Sequence, residues 1–212
     1  DGKATSNLPL RGGKGRQWEG GIREPYYIRW PGVVKSGSRS SVPVIGTDFY
    51  PTLLELAGLP LQPKQHVDGI SLVPLIRGET TKRRDLFWHY PHYGNQGGEP
   101  SAIILSDDWK LIHYYEDGRR ELYQVTEDVG EQHDKADTHP DKVKQLGQRL
   151  EAWLAETDAK MPTDNPNFSE DRAEQNRQRI RNRELSNLEA AAANVLKKSW
   201  LPNPTWWGTL KN

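Results

Sequence analysis

The sequence predicts an α/β protein: the end of an α/β core over residues 1–85, a small α+β subdomain over 86–160, and a helical or extended tail over 161–212. Three observations carry that prediction. In the first part, short β-rich runs bounded by proline alternate with an amphipathic helical segment. In the middle, the turn pair Asp117-Gly118 separates two β-rich runs, and Pro140 then opens a helix. Past residue 160, charges of both signs crowd out apolar residues.

Taken in order, Tyr26 to Trp30 reads as a strand framed by Pro25 and Pro31, and Val42 to Ile45 as a second. A helix is predicted next, capped by Thr47 or Asp48 and carrying Phe49, Leu53, Leu56 and Ala57 on one face. Gly58 ends it and Pro60 enforces the stop. Residues 59–68 form a proline-spaced linker to a short helix over Ser71 to Arg77. Ala102 to Leu105, Trp109 to Tyr115 and Arg120 to Val125 predict an antiparallel sheet of three or four strands. The helix opened by Pro140 lies across that sheet with Val143, Leu146, Leu150, Trp153 and Leu154 as its apolar stripe. Residues 170–198 read as helix with too few apolar residues for a buried core element. The stretch from Trp200 to Trp207, with three tryptophans and two prolines, reads as extended chain clasping a surface.

Composition excludes several functions. Lysine and arginine balance aspartate and glutamate at 29 each, so no global field draws nucleic acid or an anionic membrane. No run approaches the roughly 18 apolar residues of a membrane span. Cysteine is absent, which excludes disulfides and thiolate metal sites and leaves the compartment open. Hydrophobic content of 34% is low for a chain that must build its own core.

The densest chemical signal is the stretch from Thr5 to Gly32. Gly12, Gly13, Gly15, Gly20 and Gly21 surround one lysine, Lys14. Glycine lets backbone approach a ligand closely, and a lysine on such a loop offers a compact, rotatable charge to an oxyanion. A Walker loop is excluded because Gly15 follows Lys14 where Ser or Thr is required. A dinucleotide fingerprint is excluded because Trp18 stands where its third glycine belongs.

Four ordered motifs then resemble the C-terminal half of a type I sulfatase of the arylsulfatase A-like kind. They are Leu10-Arg11-Gly12-Gly13-Lys14-Gly15 with its Glu19-Gly20-Gly21-Ile22-Arg23-Glu24-Pro25 continuation, and the Thr47 to Gly58 segment. Asp68-Gly69-Ile70-Ser71-Leu72-Val73-Pro74-Leu75 follows, and then Glu121-Leu122-Tyr123 with Asp128 and Gly130-Glu131. The resemblance covers roughly residues 4 to 160. It implies an alkaline-phosphatase-like α/β/α core closed by the predicted α+β subdomain. It also implies hydrolysis of sulfate monoesters, on a carbohydrate or aryl sulfate, by a formylglycine nucleophile beside a calcium ion.

In that family the lysine of the R-G-G-K-G loop contacts the sulfate, and Lys14 matches it as both catalytic and substrate-binding residue. A fixed cation helps where charge develops on sulfuryl oxygens. His89 and His92, in a Trp-His-Tyr-Pro-His-Tyr run, resemble a segment near the family's pocket mouth and are candidate substrate contacts. Zinc at these two is disfavoured, because i and i+3 on an extended chain point to opposite faces. Asp107-Asp108 reads as a turn, His113 as a packed strand residue, and Gly94 to Gly98 as a flexible loop bordering the site.

The resemblance places the formylglycine motif and the metal carboxylates before Asp1, so no metal ligand is assigned in this sequence. Ser41-Val42-Pro43-Val44 approaches the C/S-x-P-S-R motif but lacks the arginine. The sequence therefore reads as a C-terminal fragment, inactive alone, of an enzyme typical of the periplasm or the extracellular space. Two other readings stay open: a phosphomonoesterase or phosphodiesterase of the same superfamily, and a non-catalytic module binding sulfated glycan.

Overall fold

The computed structural model describes residues 5–81 and 83–201. Asp1, Trp206 and Trp207 lie outside the described residues. In chain order the elements are helix α1 (Glu19–Ile22), a 3-10 turn (Gly46–Asp48), and helices α2 (Phe49–Leu56) and α3 (Val73–Ile76). Strands β1 (Leu86–Tyr90), β2 (Ser101–Ser106), β3 (Trp109–Tyr114) and β4 (Arg120–Gln124) follow. Helices α4 (Pro140–Glu156) and α5 (Glu170–Gln178), a π-helical segment (Arg179–Glu184) and helix α6 (Leu185–Val195) complete the chain. These form two compact units. One joins residues up to Glu24 with those from Phe87 onward; the other is Pro25–Leu86.

The larger unit is built on one sheet of order β1-β2-β3-β4. Strands β2 and β3 pair antiparallel with Ile104 opposite Leu111, and β3 pairs β4 antiparallel with Leu111 opposite Leu122. Side chains alternate across a strand, so Ala102, Ile104, Leu111 and Leu122 share one face. Helix α4 covers that face with Leu146, Leu150 and Leu154, and Val143 and Trp153 pack at its margin. Phe87 of β1 stacks on Trp153 with centroids 4.8 Å apart and planes 4° from parallel. The predicted stripe of this helix is thus its packed face.

The opposite face has a different chemistry. It carries Lys110, Ile112 and Tyr114 from β3 and Glu121 and Tyr123 from β4, all buried. Register sets Lys110 beside Tyr123 and Ile112 beside Glu121. A sheet face with ionised groups needs polar partners above it; the glycine-rich loop and the C-terminal helices supply them. The turn between β2 and β3 is Asp107-Asp108, with Asp107 in the left-handed region at φ 51°.

The smaller unit is organised by Asp48, fully buried. Its carboxylate accepts hydrogen bonds from the Ile45 N–H at 3.0 Å, the Ile70 N–H at 3.0 Å and the Arg84 guanidinium at 2.5 Å. The Thr52 hydroxyl donates to the Asp48 carbonyl and accepts from the Leu72 N–H. The Thr47–Gly58 and Asp68–Leu75 motifs are therefore one hydrogen-bonded unit. Asp48 does not cap α2 with its side chain as expected; it closes the 3-10 turn before it.

Two further expectations change in this unit. Residues 26–30 and 42–45 are extended but form no ladder among the described residues, because strand composition fixes an extended backbone and a ladder needs a neighbouring chain. The apolar stripe of α2 faces outward, with Phe49 43%, Leu53 63% and Leu56 41% exposed, while Pro51 and Thr52 are buried.

Candidate functional site

The loop from Arg11 to Gly21 rests on the polar face of the sheet. Its two ends are closed by the Gly20 N–H donating to the Arg11 carbonyl at 2.8 Å. Within it, Gly13-Lys14-Gly15-Arg16 is a turn in which the Arg16 N–H donates to the Gly13 carbonyl at 3.1 Å. Gly15 takes φ 84°, the left-handed value that a type II turn requires at its third residue. Lys14 occupies the second position and is exposed. Gly21 serves close approach: a Cβ built on it would lie 2.1 Å from the Arg16 carbonyl oxygen.

The side chains flanking Lys14 are tied down on both sides. Arg11 donates to the Glu131 carbonyl at 2.8 Å and to the Tyr123 hydroxyl at 3.2 Å, and its guanidinium lies 4.1 Å from the Trp18 ring centre. Trp18 Nε1 donates to Glu121 at 3.2 Å. The Glu19 N–H donates to the Glu131 carboxylate at 2.5 Å. Lys110 Nζ lies between two carboxylates, 2.8 Å from Glu131 and 3.2 Å from Glu19. On the far side Arg16 is buried and donates to the carbonyls of Gly97 and Ile180.

Burial and charge compete in this cluster. At Glu121 burial opposes ionisation, but Arg181, Trp18 and Arg119 outweigh it and hold its carboxyl below the usual range. At Glu131 burial prevails over Lys110 and the Glu19 N–H, and its carboxyl titrates above the usual range. Burial lowers the Arg16 pKa against the pull of Glu184 and Glu99. Lys110, Arg119 and Arg181 thus face the carboxylates of Glu19, Glu99, Glu121 and Glu131. Lys14 makes no hydrogen bond or ion pair with the described residues, so it is the cation this loop presents outward.

The two predicted histidines are placed differently. His89, half-buried in β1, has both ring nitrogens engaged: Nδ1 with the Tyr115 hydroxyl at 2.7 Å and Nε2 with the Lys160 carbonyl at 3.0 Å. It reaches a substrate only by giving up one of these bonds. His92 is exposed, edge-on to Tyr90 at 5.6 Å. It leads into residues 94–98, which are packed rather than open: a Cβ on Gly98 would lie 2.3 Å from the Gly15 carbonyl oxygen. The structure therefore brings the loop after His92 against the Lys14 turn. Arg23 pairs with Glu19 at 3.8 Å, and His113 sits edge-on to Tyr115.

Sequence reasoning missed Arg16, Trp18, Lys110 and Arg181. Lys110 carried no signal of its own: that the Glu131 carboxylate is buried and needs a cation shows only once the loop is seen to cover the sheet. Among the described residues no group of three or more His, Asp or Glu is arranged to hold a metal ion.

A sheet with a helix on its apolar face, and a lysine-bearing glycine loop bound to Glu121 and Glu131 on the other, brings together the motifs that resemble the C-terminal region of a sulfatase. The chain belongs to that family: the family model for N-sulphoglucosamine sulphohydrolase, C-terminal, matches residues 14–160. A sulfatase of Formosa agariphila is 37% identical over 171 residues, covering 73% of this chain and 31% of its own length. The N-acetylglucosamine-6-O-sulfatase of Bacteroides thetaiotaomicron is 33% identical over 138 residues, covering 61% of this chain and 24% of its own. Among solved structures, Ps i-CgsB in complex with k-i-k-neocarrahexaose superposes with a TM-score of 0.61 at 27% identity, covering 86% of this chain and 39% of that one. The chain thus spans between about a quarter and two fifths of the length of these relatives.

Proposed function

We propose that this chain is the part of a carbohydrate sulfatase that presents Lys14 to the sulfate ester. The observation that carries the reading is the contrast within one loop: Arg11, Arg16 and Glu19 are each held by hydrogen bonds or ion pairs to the rest of the fold, while Lys14 is held outward with no such partner among the described residues. A lysine fixed by such a frame keeps its charge where sulfuryl or leaving-group oxygens gain negative charge, without reorganising during reaction. Removing one such contact lowers kcat by roughly 10²–10³-fold.

The carbohydrate substrate is supported by the names of the relatives, one an N-acetylglucosamine-6-O-sulfatase and another solved with a neocarrahexaose. His92 and His89 are assigned contacts with sugar hydroxyls, His89 on giving up one of its two ring hydrogen bonds. Family resemblance attaches calcium and formylglycine to the reaction; a bound calcium would supply the Lewis acid, and a formylglycine residue the nucleophile. Among the described residues no group of His, Asp or Glu is arranged to hold the metal; the 212-residue chain alone is proposed to be inactive, since the resemblance assigns the nucleophile and metal carboxylates to other segments. No helix among the described residues is long and apolar enough to cross a membrane. A periplasmic or extracellular setting is proposed from the family alone.

The test is kinetic. In the full-length protein, Lys14→Ala should lower kcat/KM for a sulfated sugar by about 10²-fold or more, with Lys14→Arg recovering part of the loss. A change below about threefold in Lys14→Ala would overturn the assignment.

A further inference from the structure

The helices α5 and α6 lie past the residues that the sulfatase family model matches, yet they converge on the lysine loop. Leu188 of α6 covers the loop directly, its Cδ2 lying 3.2 Å from where a Cβ on Gly13 would stand. Arg16, two residues after Lys14, donates to the Ile180 carbonyl at 3.3 Å and faces Glu184 at 3.7 Å. Arg181 pairs with the carboxylates of Glu121 at 2.8 Å and Glu99 at 3.3 Å; the Glu121 carboxylate accepts from Trp18 Nε1, and the Glu99 backbone carbonyl accepts from Gln17 Nε2.

The π-helical segment makes these contacts possible. In it the Leu185 N–H donates to the Ile180 carbonyl, a five-residue step in place of four. Ile180 and Leu185, five apart, both become buried, in line with Ala173 and Ala192. In a regular α-helix residues five apart point about 140° from each other. The same carbonyl that closes the wide turn also receives Arg16.

We propose that the α5–π–α6 segment is a positioning element for Lys14, acting through Gly13 and Arg16. This rests on the reading of Lys14 as the sulfate contact. The turn that bears Lys14 is hung between two anchors. Arg11 fixes its start to the sheet, and Arg16 fixes its end to the π turn, with Leu188 pressing on the residue between. Loss of the second anchor lets the turn drift while the sheet stays intact. A displacement near 1 Å at a charged contact lowers rate by up to about 10²-fold.

The test is a double-mutant cycle in the full-length protein, joining Lys14→Ala to Leu188→Ala and, separately, to Glu184→Gln, which leaves the helix interior untouched. With Lys14 present, each tail substitution should lower kcat/KM by about tenfold; with Lys14→Ala, by less than about twofold. Equal losses in both backgrounds, or no loss in either, would overturn the proposal. A second readout needs no activity. In the 212-residue chain, tryptic cleavage after Lys14 should rise about tenfold relative to cleavage after buried Lys110, a ratio that separates local opening from global unfolding. An unchanged ratio in both variants would also overturn it. If Lys14→Ala leaves kcat/KM unchanged, the sulfate-contact reading fails, while the cleavage ratio still decides whether the tail holds the loop.

Discussion

Lys110→Met removes the one cation shared by Glu19 and Glu131 and is the sharpest probe of the buried cluster. Lys110 is fully buried, as is Glu131, at 2.8 Å. After the substitution Glu131 keeps the Glu19 N–H, and Glu19 keeps only the half-exposed Arg23 at 3.8 Å. Stranding one member of a buried pair destabilises by about 3–5 kcal/mol. Methionine preserves most of the aliphatic stem, so a loss of about 3 kcal/mol is expected, a large share of typical domain stability. Burial raises the Glu131 pKa above the usual carboxylate range. A carboxyl with a raised folded pKa contributes stability that is present below its unfolded pKa and lost as pH rises through the folded one. Without Lys110 that pKa climbs further, so the deficit should be largest near pH 8 and narrow toward pH 5. Urea denaturation followed by tryptophan fluorescence at both pH values measures it, Trp18 being buried in the same cluster. Adding Glu131→Gln should recover part of the loss. A deficit below about 1 kcal/mol, or one that grows toward pH 5, would refute the reasoning.

Other perturbations follow from packing. Gly21→Ala places a Cβ 2.1 Å from the Arg16 carbonyl oxygen and 2.7 Å from that of Gly13, so it should destabilise by about 1–3 kcal/mol or more in thermal melts. Gly46→Ala meets nothing within 4 Å and should sit within about 0.5 kcal/mol of wild type; equal effects at the two positions would contradict the packing described. Leu150→Ala, at a site 1% exposed in the core under α4, should cost about 2–5 kcal/mol by chemical denaturation. Leu53→Ser, on the outward stripe of α2 at 63% exposure, should change stability of the 212-residue chain by less than about 0.5 kcal/mol. A large loss there would mean that this stripe is packed within the chain.

What the sequence disclosed depended on whether a periodic signal matched the partner available. The stripe on α4 and the hairpin at Asp117-Gly118 were legible because each has its partner nearby in the chain. Glycine density was read as room for a ligand around Lys14; in the structure Gly20, Gly21 and Gly98 instead admit the carbonyls of Arg11, Arg16 and Gly15. Lys110 was hidden because alternation in Trp109 to Tyr114 assigns it to the non-core face, which reads as solvent unless a loop 90 residues earlier is known to cover it. Helix over the tail was legible, but its buried positions were not, for a geometric reason: a 3.6-residue period scatters Ile180 and Leu185, and the π turn gathers them. Tyr26 to Trp30 and Val42 to Ile45 show the converse, since β-rich composition gives extended backbone but cannot supply a ladder.

The most direct measurement is a crystal structure of the full-length protein with a sulfated sugar or an inert analogue bound. The account predicts Lys14 Nζ within about 3 Å of a sulfate oxygen, with Arg11 and Arg16 still bound to Glu131 and Ile180. A sulfate held by other cations, with Lys14 pointing into solvent, would contradict it.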